Sequence, residues 1–150
     1  MVQHLLRLYC IVPNPQNILV VDDDELLVRL MGELLRGEGY QVWTARDGLQ
    51  GYSSYYQHQA ETIVTDINMP ELDGFEMMRC IRAINPRARA IYMSGAPEQY
   101  RRTVASEAQK FGATVLRKPF KELELLELIA GDGTKLESFN RKKPVWREAV

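Results

Sequence analysis

Carboxylates crowd directly after two short apolar or β-rich runs of this sequence. Asp22 and Asp23 follow the first run, and Asp66 follows a later one. Carboxylates that lie close together raise each other's pKa, so a cation is needed to offset their charge. Hard oxygen ligands with spare water positions suit Mg²⁺, whereas zinc would favour His or Cys. If the two runs are adjacent strands, these three acids form one Mg²⁺ pocket, while the next acid, Asp24, serves as a helix cap.

Two more polar residues follow later apolar runs. Ser94 brings a hydroxyl donor next to Gly95, which has no side chain to block access. Lys118 brings an ammonium group that can neutralise the acids or hold a phosphoryl oxygen. Each of these residues has an ordinary structural explanation when it is taken alone. However, each of them follows a predicted strand, as the three acids do, so we expect all five side chains to share one edge of a sheet. Ordinary exposed surface residues would not be expected to gather in this way.

The elements that would position these residues alternate between strand and helix. Short apolar or β-rich runs predict five strands: Ile18–Val21, Gln41–Thr44, Thr62–Val64, Ala90–Met93 and Thr114–Leu116. Helical patterns follow the strands, and the fourth helix presents a stripe of Tyr100, Val104, Ala108 and Phe111. This alternation predicts an α/β fold, with a single doubly wound five-stranded parallel sheet and five helices.

Composition and charge exclude several classes of protein. Of the 150 residues, 45% are hydrophobic and 26% are charged, the balance of a globular domain with a core. Nineteen Lys and Arg residues against 20 Asp and Glu give a net charge of −1, so no basic excess points to nucleic acid. Cys10 and Cys80 form neither a disulfide framework nor a metal knuckle, and Cys80 is expected to pack inside. No apolar run reaches the roughly 18 residues of a membrane helix. We expect a cytoplasmic protein that does not bind membranes.

Four runs of the sequence resemble the receiver domain of two-component response regulators. They are Ile18–Asp24, Ile63–Gly74, Met93–Gly95 and Arg117–Phe120. The resemblance covers residues 17–130 and implies a flavodoxin-like receiver fold, with 1–16 as an N-terminal extension and 131–150 as a C-terminal tail. It also implies a signalling domain rather than an enzyme, one that catalyses only its own phosphorylation and dephosphorylation.

The same resemblance implies a role for each polar residue at the strand ends. Asp66 would be the phosphoacceptor, which takes a phosphoryl group from a sensor histidine kinase or a phosphotransfer protein. Asp23 and Asp66 would bind Mg²⁺ directly, Asp22 through a water molecule and Asn68 through its backbone carbonyl. The residues that would hold phosphoryl oxygens are Ser94 and Lys118.

The sequence departs from the family pattern at Val115, where many receivers have a Tyr or Phe that swings inward during signalling. A β-branched valine has too little reach for that movement. We therefore expect phosphorylation to act through Ser94, Lys118 and the loop 95–98 on the fourth helix. The face made by that helix, the fifth strand and the fifth helix would change, and an output protein is expected to bind there.

Two other classes of protein share part of this pattern. A metal-dependent hydrolase of the haloacid-dehalogenase type needs a second carboxylate two residues after the nucleophile, where this chain has Asn68. A flavodoxin-like flavin binder needs a Ser/Thr/Gly-rich loop after the first strand, and the acids of 22–25 would repel its phosphate. A DNA-binding output domain needs at least about 60 further residues, so we expect no direct nucleic-acid binding. Whether the chain is a stand-alone receiver or part of a larger regulator stays open.

Overall fold

Five parallel strands form a single sheet in the computed structural model, which describes residues 16–131. The strands are β1 (Asn17–Val21), β2 (Gln41–Ala45), β3 (Thr62–Asp66), β4 (Arg89–Ser94) and β5 (Thr114–Arg117). They lie in the order β2-β1-β3-β4-β5. The chain reverses its direction of winding between β1 and β3, so the carboxyl ends of these two strands border the crevice where ligands bind in such sheets.

Four helices and one short 3₁₀ turn connect the described strands, and a fifth helix follows β5. They are α1 (Glu25–Gly37), α2 (Gly48–His58), α3 (Gly74–Ile84), the 3₁₀ turn (Pro97–Tyr100), α4 (Arg101–Phe111) and α5 (Glu122–Ala130). The first three helices begin at an aspartate whose side chain accepts a free N–H of the first turn. Asp24, Asp47 and Asp73 each accept from the backbone N–H three residues later, at 2.7 to 3.1 Å. The cap predicted at Asp24 is therefore confirmed.

Apolar side chains cover both faces of the sheet, because neighbouring residues of a strand point to opposite sides. On one face, Ile18 and Val20 of β1 belong to the same buried cluster as the apolar residues of α1 and α5. On the other face, Leu19 and Val21 belong to a second cluster with α2 and α3. Helices on both faces of a parallel sheet confirm the predicted fold class.

Strands β3 and β4 run further than the apolar pattern predicts. Asp66 still pairs with Met93, and Ser94 still pairs with Arg117, so the backbone ladder continues through these polar residues. Asp66 and Ser94 are therefore held by the sheet itself, whereas Asp22, Asp23 and Lys118 directly follow the last residues of β1 and β5. The prediction that Cys80 packs inside is wrong, because its side chain lies on the exposed face of α3.

The predicted N-terminal extension and C-terminal tail lie outside the described residues, apart from Gln16 and Gly131. Between these two residues, no helix combines the length and the apolar character needed to cross a membrane.

Candidate functional site

Three carboxylates meet at the carboxyl ends of β1 and β3. Asp22 is 1% exposed, and its Oδ1 accepts a hydrogen bond of 2.9 Å from the backbone N–H of Asp24. This bond turns the chain out of the strand and leaves Asp23 exposed. One carboxylate oxygen from each of Asp22, Asp23 and Asp66 lies within 4.8 Å of the other two. A set of hard, negatively charged oxygens at this spacing fits Mg²⁺.

Lys118 supplies the positive charge that the protein itself brings to these acids. Its Nζ lies 2.5 Å from Oδ2 of Asp22 and 3.3 Å from Oδ1 of Asp66. Burial lowers the pKa of Lys118, but the hydrogen bond to Asp22 and the charges of both acids outweigh burial and raise that pKa above its usual value. The backbone N–H of Lys118 also donates to the carbonyl of Ser94 at 2.8 Å, which aligns the end of β5 with β4.

The surroundings of Asp66 disfavour the ionised form of its carboxyl group. Burial raises its pKa, and the charge of Asp22 raises it further, while the charge and hydrogen bond of Lys118 lower it and Asp23 adds a smaller upward effect. The result is a pKa of about 6 in place of 3.8. Asp66 is thus ionised at neutral pH, but its carboxylate gains from any further positive charge that approaches it.

Ser94 ends β4 and is buried at the same edge of the sheet. Its Oγ accepts a hydrogen bond of 3.0 Å from the backbone N–H of Ala96, and its own O–H has no acceptor within residues 16–131. A Cβ added to Gly95 would meet no atom of the described residues within 4 Å. Beyond it, Glu98 of the 3₁₀ turn forms an exposed ion pair with Arg117 of β5. The segment that follows Ser94 is therefore paired with the residue that directly precedes Lys118.

The loop after Asp66 returns at once to the strand end. The backbone N–H of Gly74 donates to the carbonyl of Ile67 at 2.9 Å. A Cβ at position 74 would lie 2.4 Å from the carbonyl oxygen of Asp66, so only glycine permits this approach. The preceding residue, Asp73, forms a capping box with Glu76 at the start of α3. The Asp-Gly pair therefore fixes α3 against the end of β3.

The structure brings four of the predicted site residues into one cluster. Asp22, Asp23 and Asp66 lie together with Lys118, as the strand-end pattern predicts. Ser94 lies at the end of the neighbouring strand, and Asn68 is exposed two residues beyond Asp66. The role that the resemblance gives to each residue stays a prediction.

A second polar cluster escaped the sequence analysis. The stripe predicted for α4 is partly wrong, since Ala108 is exposed and Glu107 is buried in its place. Tyr92 of β4 donates a hydrogen bond of 2.7 Å to Oε2 of Glu107, and Arg82 of α3 pairs with the same oxygen. Helical spacing of apolar residues cannot reveal such a site, because its central residue is charged.

Comparison with known proteins matches residues 18–130 to the response regulator receiver domain. The chain is 32% identical over 114 residues to chemotaxis protein CheY of Bacillus subtilis, covering 75% of this chain and 92% of CheY. It is also 29% identical to the transcriptional regulatory protein GlrR of Escherichia coli. The matched region includes 91% of this chain but only 30% of the length of GlrR. A solved structure, the receiver domain of sensor histidine kinase PA1611 from Pseudomonas aeruginosa, has a magnesium ion coordinated in its active site cleft. It superposes with a TM-score of 0.66 at 31% identity, covering 77% of this chain and 94% of that domain.

Proposed function

The chain belongs to the response regulator receiver domain family of two-component systems, and on that premise we propose that Asp66 is its phosphoacceptor. One observation carries this proposal. Oδ1 of Asp66 lies 3.3 Å from Nζ of Lys118, while the second oxygen, Oδ2, makes no hydrogen bond within residues 16–131. Both oxygens of Asp22 are engaged, and Asp23 is exposed and has no described contact with the lysine. Asp66 therefore combines an available oxygen with a cation beside it.

The reaction is a transfer of one phosphoryl group to a carboxylate. An oxygen of Asp66 attacks the phosphorus of a phosphohistidine, and a new O–P bond forms as the P–N bond breaks. The electron pair of the P–N bond leaves with the imidazole nitrogen, which takes a proton from solvent. A carboxylate is a modest nucleophile, so positioning and charge neutralisation supply most of the rate.

Two side chains of this site neutralise or bind the transferred group. Lys118 already faces Asp66 and is placed to offset the negative charge of a phosphoryl oxygen. The hydroxyl of Ser94, at the end of the neighbouring strand, would donate to another phosphoryl oxygen.

A divalent cation completes the proposed site. The residues that would hold Mg²⁺ are Asp22, Asp23, Asp66 and the backbone carbonyl of Asn68. When bound, Mg²⁺ supplies charge neutralisation for the carboxylates and the phosphoryl oxygens. The spacing of the three carboxylates and the raised pKa of Asp66 both support this assignment. The magnesium ion in the related receiver of PA1611 supports it independently.

We further propose that this domain signals and does not turn over substrate. Its phosphoryl donor would be a sensor histidine kinase or a phosphotransfer protein in the cytoplasm. Its output protein would bind the face made by α4, β5 and α5. An aspartyl-phosphate hydrolase would instead consume an acyl phosphate continuously, so the stoichiometry of labelling separates the two functions.

Labelling with a small acyl phosphate tests the proposal. Incubation with acetyl phosphate and Mg²⁺ is expected to add one phosphoryl group to each chain, observed by intact mass spectrometry. Asp66→Asn is expected to abolish labelling, because the amide is not a nucleophile. Asp24→Asn is the matched control, since asparagine preserves the cap of α1 and the residue lies outside the carboxylate cluster. Equal labelling of the Asp66→Asn variant, or labelling that EDTA does not diminish, would overturn the assignment.

A further inference from the structure

Helix α4 has almost no apolar anchor. Its buried residue is Glu107, whereas Val104 is half-buried and the Phe111 side chain is 39% exposed. Other helices are held by apolar residues, which in α1 and α3 are Val28, Met31, Leu35, Phe75, Met77, Met78 and Ile81. An apolar stripe tolerates small displacements because its attraction is non-directional. A helix that is held by one carboxylate depends instead on the directed contacts of that group.

The contacts of Glu107 reach two other elements of the fold. Tyr92 of β4 donates its hydroxyl to Oε2 at 2.7 Å, and the Arg82 guanidinium of α3 pairs with the same oxygen. Arg82 is 7% exposed and its Cζ lies 3.9 Å from the centre of the Phe111 ring. Nε and the second terminal nitrogen of Arg82 are buried without a hydrogen-bond partner among the described residues. A buried charge pair of this kind is stable in one geometry and costly when either partner withdraws.

Tyr92 connects this anchor to the phosphorylation site. It precedes Ser94 by two residues, so both side chains lie on the same side of β4. The ring of Phe75 lies 4.6 Å from the ring of Tyr92 and 5.8 Å from that of Tyr100. Phe75 follows Gly74, whose N–H donates to the carbonyl of Ile67 beside Asp66, and Tyr100 ends the 3₁₀ turn that follows Ser94. Both segments that leave the site therefore meet in one aromatic cluster.

We propose that Glu107 is the positioning residue that couples α4 to the phosphorylation site through the hydroxyl of Tyr92. In the unmodified protein the Tyr92–Glu107–Arg82 contacts hold α4 in place. Phosphorylation of Asp66 displaces Ser94 and the aromatic cluster, breaks the hydrogen bond to Glu107 and releases the helix. This inference rests on the proposed function of Asp66, and it names the device that carries the signal to α4.

Coupling between two sites is reciprocal, and this property makes the proposal measurable. If the phosphorylated state requires a released α4, then weakening the anchor must favour binding of a phosphoryl mimic. Only the released fraction of the molecules is competent, so a larger released fraction lowers the apparent dissociation constant. The loss of one hydrogen bond to a charged group is expected to shift this constant by about tenfold.

The test uses the full chain with saturating Mg²⁺ and beryllofluoride as the phosphoryl mimic. Tyr92→Phe removes only the hydroxyl that contacts Glu107. Tyr100→Phe is the matched control, because it removes a hydroxyl from the same aromatic cluster that makes no hydrogen bond within residues 16–131. Amide hydrogen exchange of residues 66–74 gives the half-saturating concentration of beryllofluoride, and exchange of 101–111 reports on α4.

Tyr92→Phe is expected to speed exchange of 101–111 before beryllofluoride is added and to lower its half-saturating concentration by about tenfold. Tyr100→Phe is expected to change neither. Should Tyr92→Phe fail to fold, Glu107→Gln keeps an acceptor for the hydroxyl, weakens the pair with Arg82 and is expected to shift both measurements in the same direction. A simple loss of stability would speed exchange in β1 as well and would not tighten the binding of the mimic.

The proposed function and this inference fail in different ways. If the wild type neither binds beryllofluoride nor accepts a phosphoryl group, both are overturned. If the wild type binds and is labelled at Asp66, but Tyr92→Phe has the same half-saturating concentration within twofold and unchanged exchange of α4, only the role of Glu107 is overturned.

Discussion

Replacement of Asp66 by asparagine is expected to stabilise the metal-free protein at neutral pH. The pKa of Asp66 is about 6 in the fold and 3.8 as the ordinary value, so folding favours the protonated, neutral side chain. One pKa unit corresponds to about 1.4 kcal/mol, and the ionised carboxylate therefore costs up to about 3 kcal/mol of folding free energy at pH 7. The amide of asparagine keeps the shape of the carboxyl group and avoids this cost.

The sign of the effect fixes its dependence on pH. Because the pKa is raised by folding, the stability linked to Asp66 is fully present below about pH 4 and is lost as pH rises through about 6. The wild type loses this stability over that interval, and Asp66→Asn does not. The difference in the free energy of unfolding is thus expected to be small near pH 4 and to reach 2 to 3 kcal/mol, on the order of the full linkage, at pH 7.

Urea denaturation in EDTA, followed by circular dichroism at pH 4, 5, 6 and 7, measures this difference. Saturating Mg²⁺ is expected to reduce or reverse it, because the ion stabilises the wild-type fold by binding to the native state. Asp24→Asn changes the charge equally outside the cluster, and its effect is expected to stay small at every pH. A difference for Asp66→Asn that is independent of pH, or a loss of stability at pH 7, would refute the account of crowded charge.

Four further substitutions, one of which is a control, test the site. Asp23→Asn is expected to weaken Mg²⁺ binding in calorimetry and to raise the melting temperature of the metal-free protein. The increase is expected to be smaller than for Asp66→Asn, because Asp23 is exposed and contributes least to the pKa of Asp66. Gly74→Ala places a Cβ 2.4 Å from a backbone oxygen and is expected to lower the free energy of unfolding by at least about 2 kcal/mol in urea denaturation. Gly95→Ala is the control and should cost little, because its Cβ would meet no atom within 4 Å in the part of the chain that the structure describes. Equal costs of the two substitutions would contradict this account. Lys118→Met removes the charge that lowers the pKa of Asp66, so the pH profile of acetyl phosphate labelling is expected to move to higher pH. An unchanged profile would contradict the proposed effect of Lys118 on Asp66.

The candidate site was predictable because its residues end strands. Lys118 and Asp22 are 96 positions apart, yet they touch, since a parallel sheet gathers all its carboxyl ends at one edge. The limits of the strands were less predictable, because Asp66 and Ser94 pair through backbone groups that do not depend on apolar side chains. Glu107 could not be predicted at all. Its burial depends on Arg82, which lies on another helix and belongs to no recognisable motif.

The valine at position 115 and the tyrosine at position 92 are best understood together. Val115 is the direct partner of Tyr92 across β4 and β5, and both belong to the same apolar cluster. A small residue on β5 leaves room for a large ring on β4, since a close-packed core conserves the total volume of neighbouring side chains. The missing aromatic residue on β5 is thus matched by an aromatic residue on β4. The hydroxyl of this ring is bound to Glu107, so the ring keeps its position for as long as that hydrogen bond lasts. Under the proposed role of Glu107, a signal that crosses this layer acts on that hydrogen bond.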